Sequence, residues 1–436
     1  MGKIGMILYD YPLGVSPSLI SSAILLAREG YEVHLFVDKS IFCANRVDFD
    51  DSRIIVHAIG ESSEKQQANL KKQSVFPLLF RKNIGRALYW TLYILLVRLT
   101  IIPLPFSKKL YYYCRYIFRD FFRFYQNILE YIDNEYISLI GVDHKCLVIA
   151  TLISIKKKIP VIYFNLELLL GKECKHPQQK ILKFLERESN RRSYMTIIQD
   201  ERRAKYLMED NNVPLEKLVY VPVSTLGEPY ESKSDYLHRT LDIGKDKKII
   251  LYAGNVVPWS MSLEIAEAAQ EWDDNKVLVL HTWRSDLADD PYIDKLRSLT
   301  KNEKVYLSLN PVEWESLPEL LSSADIGLIF YQNLGANFYE TGSSSNKLAQ
   351  YVQVGLPLIT SDYPSFKEVI PKYKCGKCAK SPAEIETYAD EIFSDYDSYR
   401  RNAFRCYQEK YEFSKYFKAV IKMIYDLHSS NEMPIP

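Results

Sequence analysis

Residues 343–347 read Ser-Ser-Ser-Asn-Lys, and a helical apolar pattern begins at once with Leu348 and Ala349. A helix starting here presents unpaired N–H groups and the positive end of its dipole around Ser344, Ser345 and Asn346. Lys347 adds a full positive charge in the first turn. Gln350, one turn further on, is within reach of a sugar hydroxyl. Together these residues can hold a nucleoside diphosphate and stabilise the charge that gathers on it when it departs. The competing reading is a helix cap with a solvated lysine.

A second set of polar residues falls at strand ends in the first half. The apolar run "YISLIGVD" ends at Asp143 and His144, and "PVIYFNLELL" carries Glu167. The turn-rich loop Tyr11 to Gly14 follows the first strand in the same way. In an open parallel sheet such ends face the ligand crevice, so Asp143, His144 and Glu167 are the candidate catalytic groups. Tyr11 and Gly14 are expected beside the acceptor. Other polar motifs are weaker. "DFDD" at 48–51 reads as exposed loop, His34 lies inside a strand, and Cys375-x-x-Cys378 has no second pair nearby to complete a zinc site. No bound metal is expected.

Bulk properties set the frame. The chain has 436 residues, 47% hydrophobic and 25% charged, with a net charge of +1. That length suits two domains. Seven scattered cysteines suggest reduced thiols in a cytoplasmic setting. The start, "KIGMILYDYPLG", reads as a buried strand and not as a secretory signal.

Two runs of alternating strands and helices must position these groups. "KIGMILY" is a strand, Ser16-Pro17 starts a helix that ends near Gly30, and "YEVHLFV" is the next strand. "SYMTIIQD" ends the first series. After the polar stretch 222–247 a second series runs through "KKIILYAGN", "KVLVLHTW", "VYLSL", "DIGLIFY" and "LPLITSD". This pattern predicts an α/β fold with two Rossmann-like doubly wound domains facing a central cleft. The expected limits are 1–228 for the acceptor side, 245–410 for the nucleotide-sugar side, and a helix over 411–436 crossing back to the first domain.

Residues 71–124 stand apart. They hold eleven Lys and Arg against a single acid, Asp120. Large apolar groups lie between the charges. Arg115, Arg119 and Arg123 recur every four residues and so share a helix face. A basic face on an aromatic body suits a helix lying on an anionic membrane. Arg98 and two prolines in the apolar run 87–106 argue against a span. The interleaving is too apolar for a nucleic-acid groove.

The two halves look like a GT-B-fold glycosyltransferase, and the second resembles the retaining enzymes of glycosyltransferase family four. The likeness rests on "NKLAQYVQVGLPLI", with Asn346, Lys347, Gly355 and Pro357 in register, and on "SSADIGLIF" before it. "YFNLELL" and "IIQDERRAKYL" also look like pieces of this superfamily. The family often has two glutamates with seven residues between them. Here Gly342 and Gln350 take those places, with Glu340 close by, and "GNVVPWSMS" lacks the family's basic pair.

The resemblance implies transfer of a sugar from a nucleoside-diphosphate sugar, UDP or GDP, with retention and without a metal. On the donor side it places Asn255, Ser344, Ser345, Asn346, Lys347 and Gln350, with Arg284 as a further candidate cation. With the basic segment, the expected acceptor is a lipid-linked glycan or polysaccharide at the cytoplasmic membrane face. Two alternatives stay open at this point: a sugar-nucleotide epimerase of the same fold, and a non-catalytic glycosyltransferase-like partner subunit.

Overall fold

The computed structural model describes residues 2–9, 12–44, 47–60, 123–283 and 290–432. Tyr11, Arg115, Arg119, Arg284 and nearly all of the basic segment lie outside the described residues. Arg123 is described, and lies exposed on helical residues 123–131.

The first domain is a seven-stranded sheet in the order β3-β2-β1-β4-β5-β6-β7. Its strands are β1 Lys3–Leu8, β2 Glu32–Asp38, β3 Ile54–Ile59, β4 Tyr136–Val142, β5 Val161–Phe164, β6 Met195–Ile198 and β7 Leu218–Tyr220. The second is a six-stranded sheet in the order β10-β9-β8-β11-β12-β13. It comprises β8 Lys248–Ala253, β9 Lys276–His281, β10 Val305–Ser308, β11 Ile326–Ile329, β12 Leu358–Ser361 and β13 Gly376–Ala379. Every pairing is parallel.

Parallel sheets are covered on both faces, which is why their strands read as continuous apolar runs. In the first domain one core joins helix Pro17–Arg28 to Met6, Leu35 and Ile140. The opposite core packs helix Asp143–Lys157 on Ile7, Leu139 and Tyr163. Phe413, Phe417, Val420 and Ile424 of helix Phe413–Glu432 belong to the first of these cores. The last helix of the chain therefore buries its apolar stripe on the N-terminal domain. Leu237 and Ile243 pack in the second domain's core, so the later part of the polar stretch 222–247 is folded there.

Some local expectations change. Ser16 precedes helix Pro17–Arg28, but its hydroxyl donates back to Pro12 O (2.7 Å) and does not cap the helix. Cys375 is buried before β13 while Cys378 lies within it, half-buried, and accepts from Thr360 Oγ1 (3.6 Å). Residues three apart on an extended segment point to opposite sides, so this pair cannot converge as a metal clip. Asp51 of "DFDD" chelates Arg53 (2.7 and 2.9 Å). Among the described residues no group of three or more His, Cys, Asp or Glu is placed to hold a metal. Nor is any described helix long and apolar enough to cross a membrane.

Candidate active site

Strand order reverses between β1 and β4 in one sheet and between β8 and β11 in the other. Such switch points open a crevice at the C-terminal strand ends. The second is where a cavity of about 510 Å³ lies. Its floor is Ala253 at the end of β8 with Gly254 and Asn255 after it, His281 at the end of β9 and Tyr331 after β11. Ser344, Ser345, Asn346, Lys347 and Gln350 line one side. Gly14 and Glu167 face it from the first domain. The fold thus joins the donor-side candidates with two of the acceptor-side ones.

Helix Asn346–Gln353 begins where the spacing predicts. Ser345 caps it, its hydroxyl accepting from Leu348 N–H (3.2 Å). The Ser344 N–H is used inside the turn, donated to Thr341 O (3.0 Å). That leaves the Asn346 and Lys347 N–H groups at the open end of the dipole. Asn346 Oδ1 is buried with no hydrogen-bond partner. A buried acceptor left unmatched costs free energy, and a substrate donor group would satisfy it.

Lys347 is the only lysine or arginine among the described residues lining the cavity. Its Nζ donates to Tyr331 Oη (3.1 Å) and lies 4.8 Å from the ring centroids of both Tyr252 and Tyr331. Burial disfavours its charge. The surrounding tyrosines Tyr252, Tyr331 and Tyr351 outweigh that, and the ammonium is held protonated above its ordinary range, as ring faces favour a cation. Gly254 has φ +152°, and a Cβ there would sit 2.4 Å from Lys347 Cε. Only glycine lets the lysine lie across the end of β8. Gly327 makes room in the same way for the Tyr351 ring, whose hydroxyl accepts from Ala253 N–H (2.7 Å).

The rest of the wall is aromatic. Trp259, Tyr331 and Phe338 form a ring cluster with centroids 5.5–5.9 Å apart. Trp283 and Trp314 stand further along the same cavity. His281 Nδ1 is 2.9 Å from Ser308 Oγ, and burial pushes its pKa down to about 4, so it is neutral at physiological pH.

On the opposite side Glu167 is solvent-accessible but deep between the domains. Burial within the cleft raises its pKa, and the Arg203 charge opposes the rise. Asp143 and His144 do not line the cavity. Asp143 has φ +57°, a conformation Asp tolerates better than most residues. Its Oδ1 accepts the N–H groups of Leu166 (2.7 Å) and Glu167 (2.9 Å). It therefore shapes the turn that presents Glu167. His144 is half-buried at the start of helix Asp143–Lys157.

Burial and the neighbouring Glu167 push the Asp143 carboxyl up to about 8. An unfolded Asp titrates near ~3.9, so between these values the native state holds a proton that the unfolded chain has lost. Stability then falls as pH rises from about 4 to about 8, by at most about 1.4 kcal/mol per pH unit. Asp143→Asn keeps the Oδ1 acceptor and removes the titration. Urea unfolding across pH 5–8 should show a flatter profile for the variant. Coincident slopes would mean that Asp143 is ionised in the native state.

Sequence reasoning missed several residues of the site. Tyr331 and His281 each sit at or just beyond a strand's C-terminal end, which was a usable signal, and Trp259 follows in the loop after β8. Asn337 offered none. Glu340, next to the family's glutamate position, is not in the cavity. It is buried and takes a bidentate contact from Arg202 of the first domain (2.5 and 3.0 Å), plus the Tyr206 hydroxyl (3.3 Å).

Residues 264–424 match the family model described as the C-terminal domain of glucosyltransferase 3-like proteins. No curated protein matches the sequence. Among solved structures, Anabaena HepE in complex with UDP-glucose superposes with a TM-score of 0.64 and 12% identity, covering 99% of each chain. Sucrose-phosphate synthase from Thermosynechococcus elongatus gives 0.66 and 13%, over 99% of this chain and 100% of that one. WaaG, a glycosyltransferase involved in lipopolysaccharide biosynthesis, gives 0.58 and 12%, over 96% and 99%. The C-terminal region thus resembles that of glucosyltransferase 3-like proteins, and the chain has the two-domain GT-B fold of these structures along its whole length.

Proposed function

We propose that the protein moves a sugar from a UDP-sugar to a lipid-linked glycan or polysaccharide at the cytoplasmic face of the membrane, with retention of anomeric configuration. The observation that carries the donor half is the buried, charged Lys347 beside the open N-terminus of helix Asn346–Gln353, at a strand switch point. The C1–O bond to the diphosphate breaks as the acceptor oxygen bonds to C1. Lys347 and the Asn346 and Lys347 N–H groups neutralise the leaving diphosphate, and a diphosphate oxygen takes the acceptor proton. Gln350 and Asn255 face sugar or ribose hydroxyls.

Glu167 and Gly14 stand on the acceptor side, with Glu167 oriented by Asp143. UDP is favoured as the donor's nucleotide because HepE is seen in complex with UDP-glucose. The acceptor class and the membrane face rest on the basic, aromatic character of residues 71–124.

A thermal-shift panel of UDP, GDP, ADP and CDP, each with and without EDTA, tests the donor site. A diphosphate at about 100 times its Kd should add ~2.7 kcal/mol to stability. UDP is expected to do so, and EDTA to leave the effect unchanged. If no diphosphate stabilises the protein, the donor-site reading fails. If EDTA abolishes the shift, the metal-free reading fails.

A further inference from the structure

Arg203 is the third residue of helix Glu201–Asn211 and is fully buried. Its Nη2 donates to Leu166 O (2.7 Å) and to Asn337 Oδ1 (3.0 Å), and its Nη1 donates to Ser344 Oγ (3.1 Å). Leu166 directly precedes Glu167 in the first domain, whereas Ser344 belongs to the diphosphate loop of the second. Asn337 reinforces the bridge, accepting from Leu168 N–H (2.8 Å) and donating to Leu168 O (2.9 Å). One planar guanidinium thus touches the turn that carries the cleft carboxylate and the loop that would hold the leaving group. Arginine can do this because its donors form a rigid fork; a lysine ammonium is a point charge that cannot span both sides in the same geometry.

The contact with Ser344 also has a direction. Arg203 can only donate, so the Ser344 oxygen accepts from it and the hydroxyl hydrogen is left to point elsewhere. Glu340 O, at 3.5 Å, is a poor acceptor for that hydrogen. A phosphate oxygen in the cavity would be a better one. Occupying the diphosphate site would then tighten Ser344, and through Arg203 the Leu166–Leu168 turn.

We infer that Arg203 is a positioning residue that registers the Glu167 turn of the first domain against the diphosphate-binding loop of the second. The inference rests on the donor-site reading above. It is independent of which sugar or acceptor the enzyme uses, so UDP alone suffices as the probe.

The test is hydrogen–deuterium exchange of the full-length protein with and without UDP, together with UDP affinity by calorimetry. In the wild type, UDP should slow exchange at Leu166–Leu168 by at least about tenfold, although those amides belong to the other domain. In Arg203→Gln, UDP should bind within about threefold of wild type, while the added protection at 166–168 disappears. A purely structural role would change exchange there equally with and without UDP. If Arg203→Gln does not fold, Arg203→Lys, which keeps the charge but not the fork, should show the same loss of coupling. UDP-induced protection that persists in a folded variant overturns the inference alone. If the wild type binds another diphosphate of the panel and not UDP, the same experiment is run with that one; failure to bind any of the four overturns both the inference and the donor-site reading.

Discussion

Lys347→Ala is expected to weaken UDP binding by about a hundredfold and to slow sugar transfer by 10²–10³. The transfer loss corresponds to about 3–4 kcal/mol, the range for removing one charge-stabilising group from an enclosed site. The effect should be large because the described cavity wall offers no second lysine or arginine, and because the ammonium is fixed in place by Tyr331 Oη and two ring faces. Folding stability should change little. The substitution removes a buried charge and strands no opposite charge among the described residues, and the tyrosine rings remain packed in the second domain's cores. Lys347→Arg should not restore activity, since a planar guanidinium cannot take the place of a compact ammonium held by Tyr331 Oη and two ring faces. Calorimetric titration with UDP checks the first value. An alanine variant that binds UDP like the wild type would remove the central support for the donor site.

Arg202→Ala should produce the largest loss of stability. Glu340 is 2% exposed, and Arg202 satisfies both of its oxygens while also reaching Glu368 (2.6 Å). Without the arginine, Glu340 keeps only the Tyr206 hydroxyl. Breaking a buried pair by removing one partner costs roughly 3–5 kcal/mol, most of it from the stranded charge. The pair joins the two domains, so the loss should appear as a lower melting temperature and a larger radius of gyration in solution scattering. Replacing both groups, as Arg202→Met with Glu340→Gln, should recover much of the stability because no unpaired charge remains. A single variant as stable and compact as the wild type would show that this bridge does not hold the domains.

Much of the fold was legible because parallel strands covered on both faces leave unbroken apolar runs. "IGMIL", "IILYA" and "VLVLH" needed no tertiary information. Leu218–Tyr220 and Gly376–Ala379 were not legible, since the first is three residues long and the second, Gly-Lys-Cys-Ala, has no apolar run. The helix start beside the cleft was legible for a local reason: Ser345, Asn346 and Lys347 are consecutive, and a helix N-terminus is made within one turn. Strand-end logic brought Asp143, His144 and Glu167 to one edge but could not rank them. The positive φ of Asp143 turns its carboxyl onto the Leu166 and Glu167 backbone, and only Glu167 lines the cleft.

By itself, then, the sequence determined the two doubly wound domains, the order of their elements and the loop that can hold a diphosphate. These follow from apolar periodicity and from contacts within a few residues. The tertiary structure alone decided which side chains meet across the cleft. Arg203 reaches Ser344 over 141 residues of sequence, and Arg202 reaches Glu340 over 138. It also turned Glu340, which sequence position sets beside the 343–350 loop, into a bond between domains. Such pairings depend on how two separately folded sheets are brought edge to edge, and no local pattern of residue types encodes that distance.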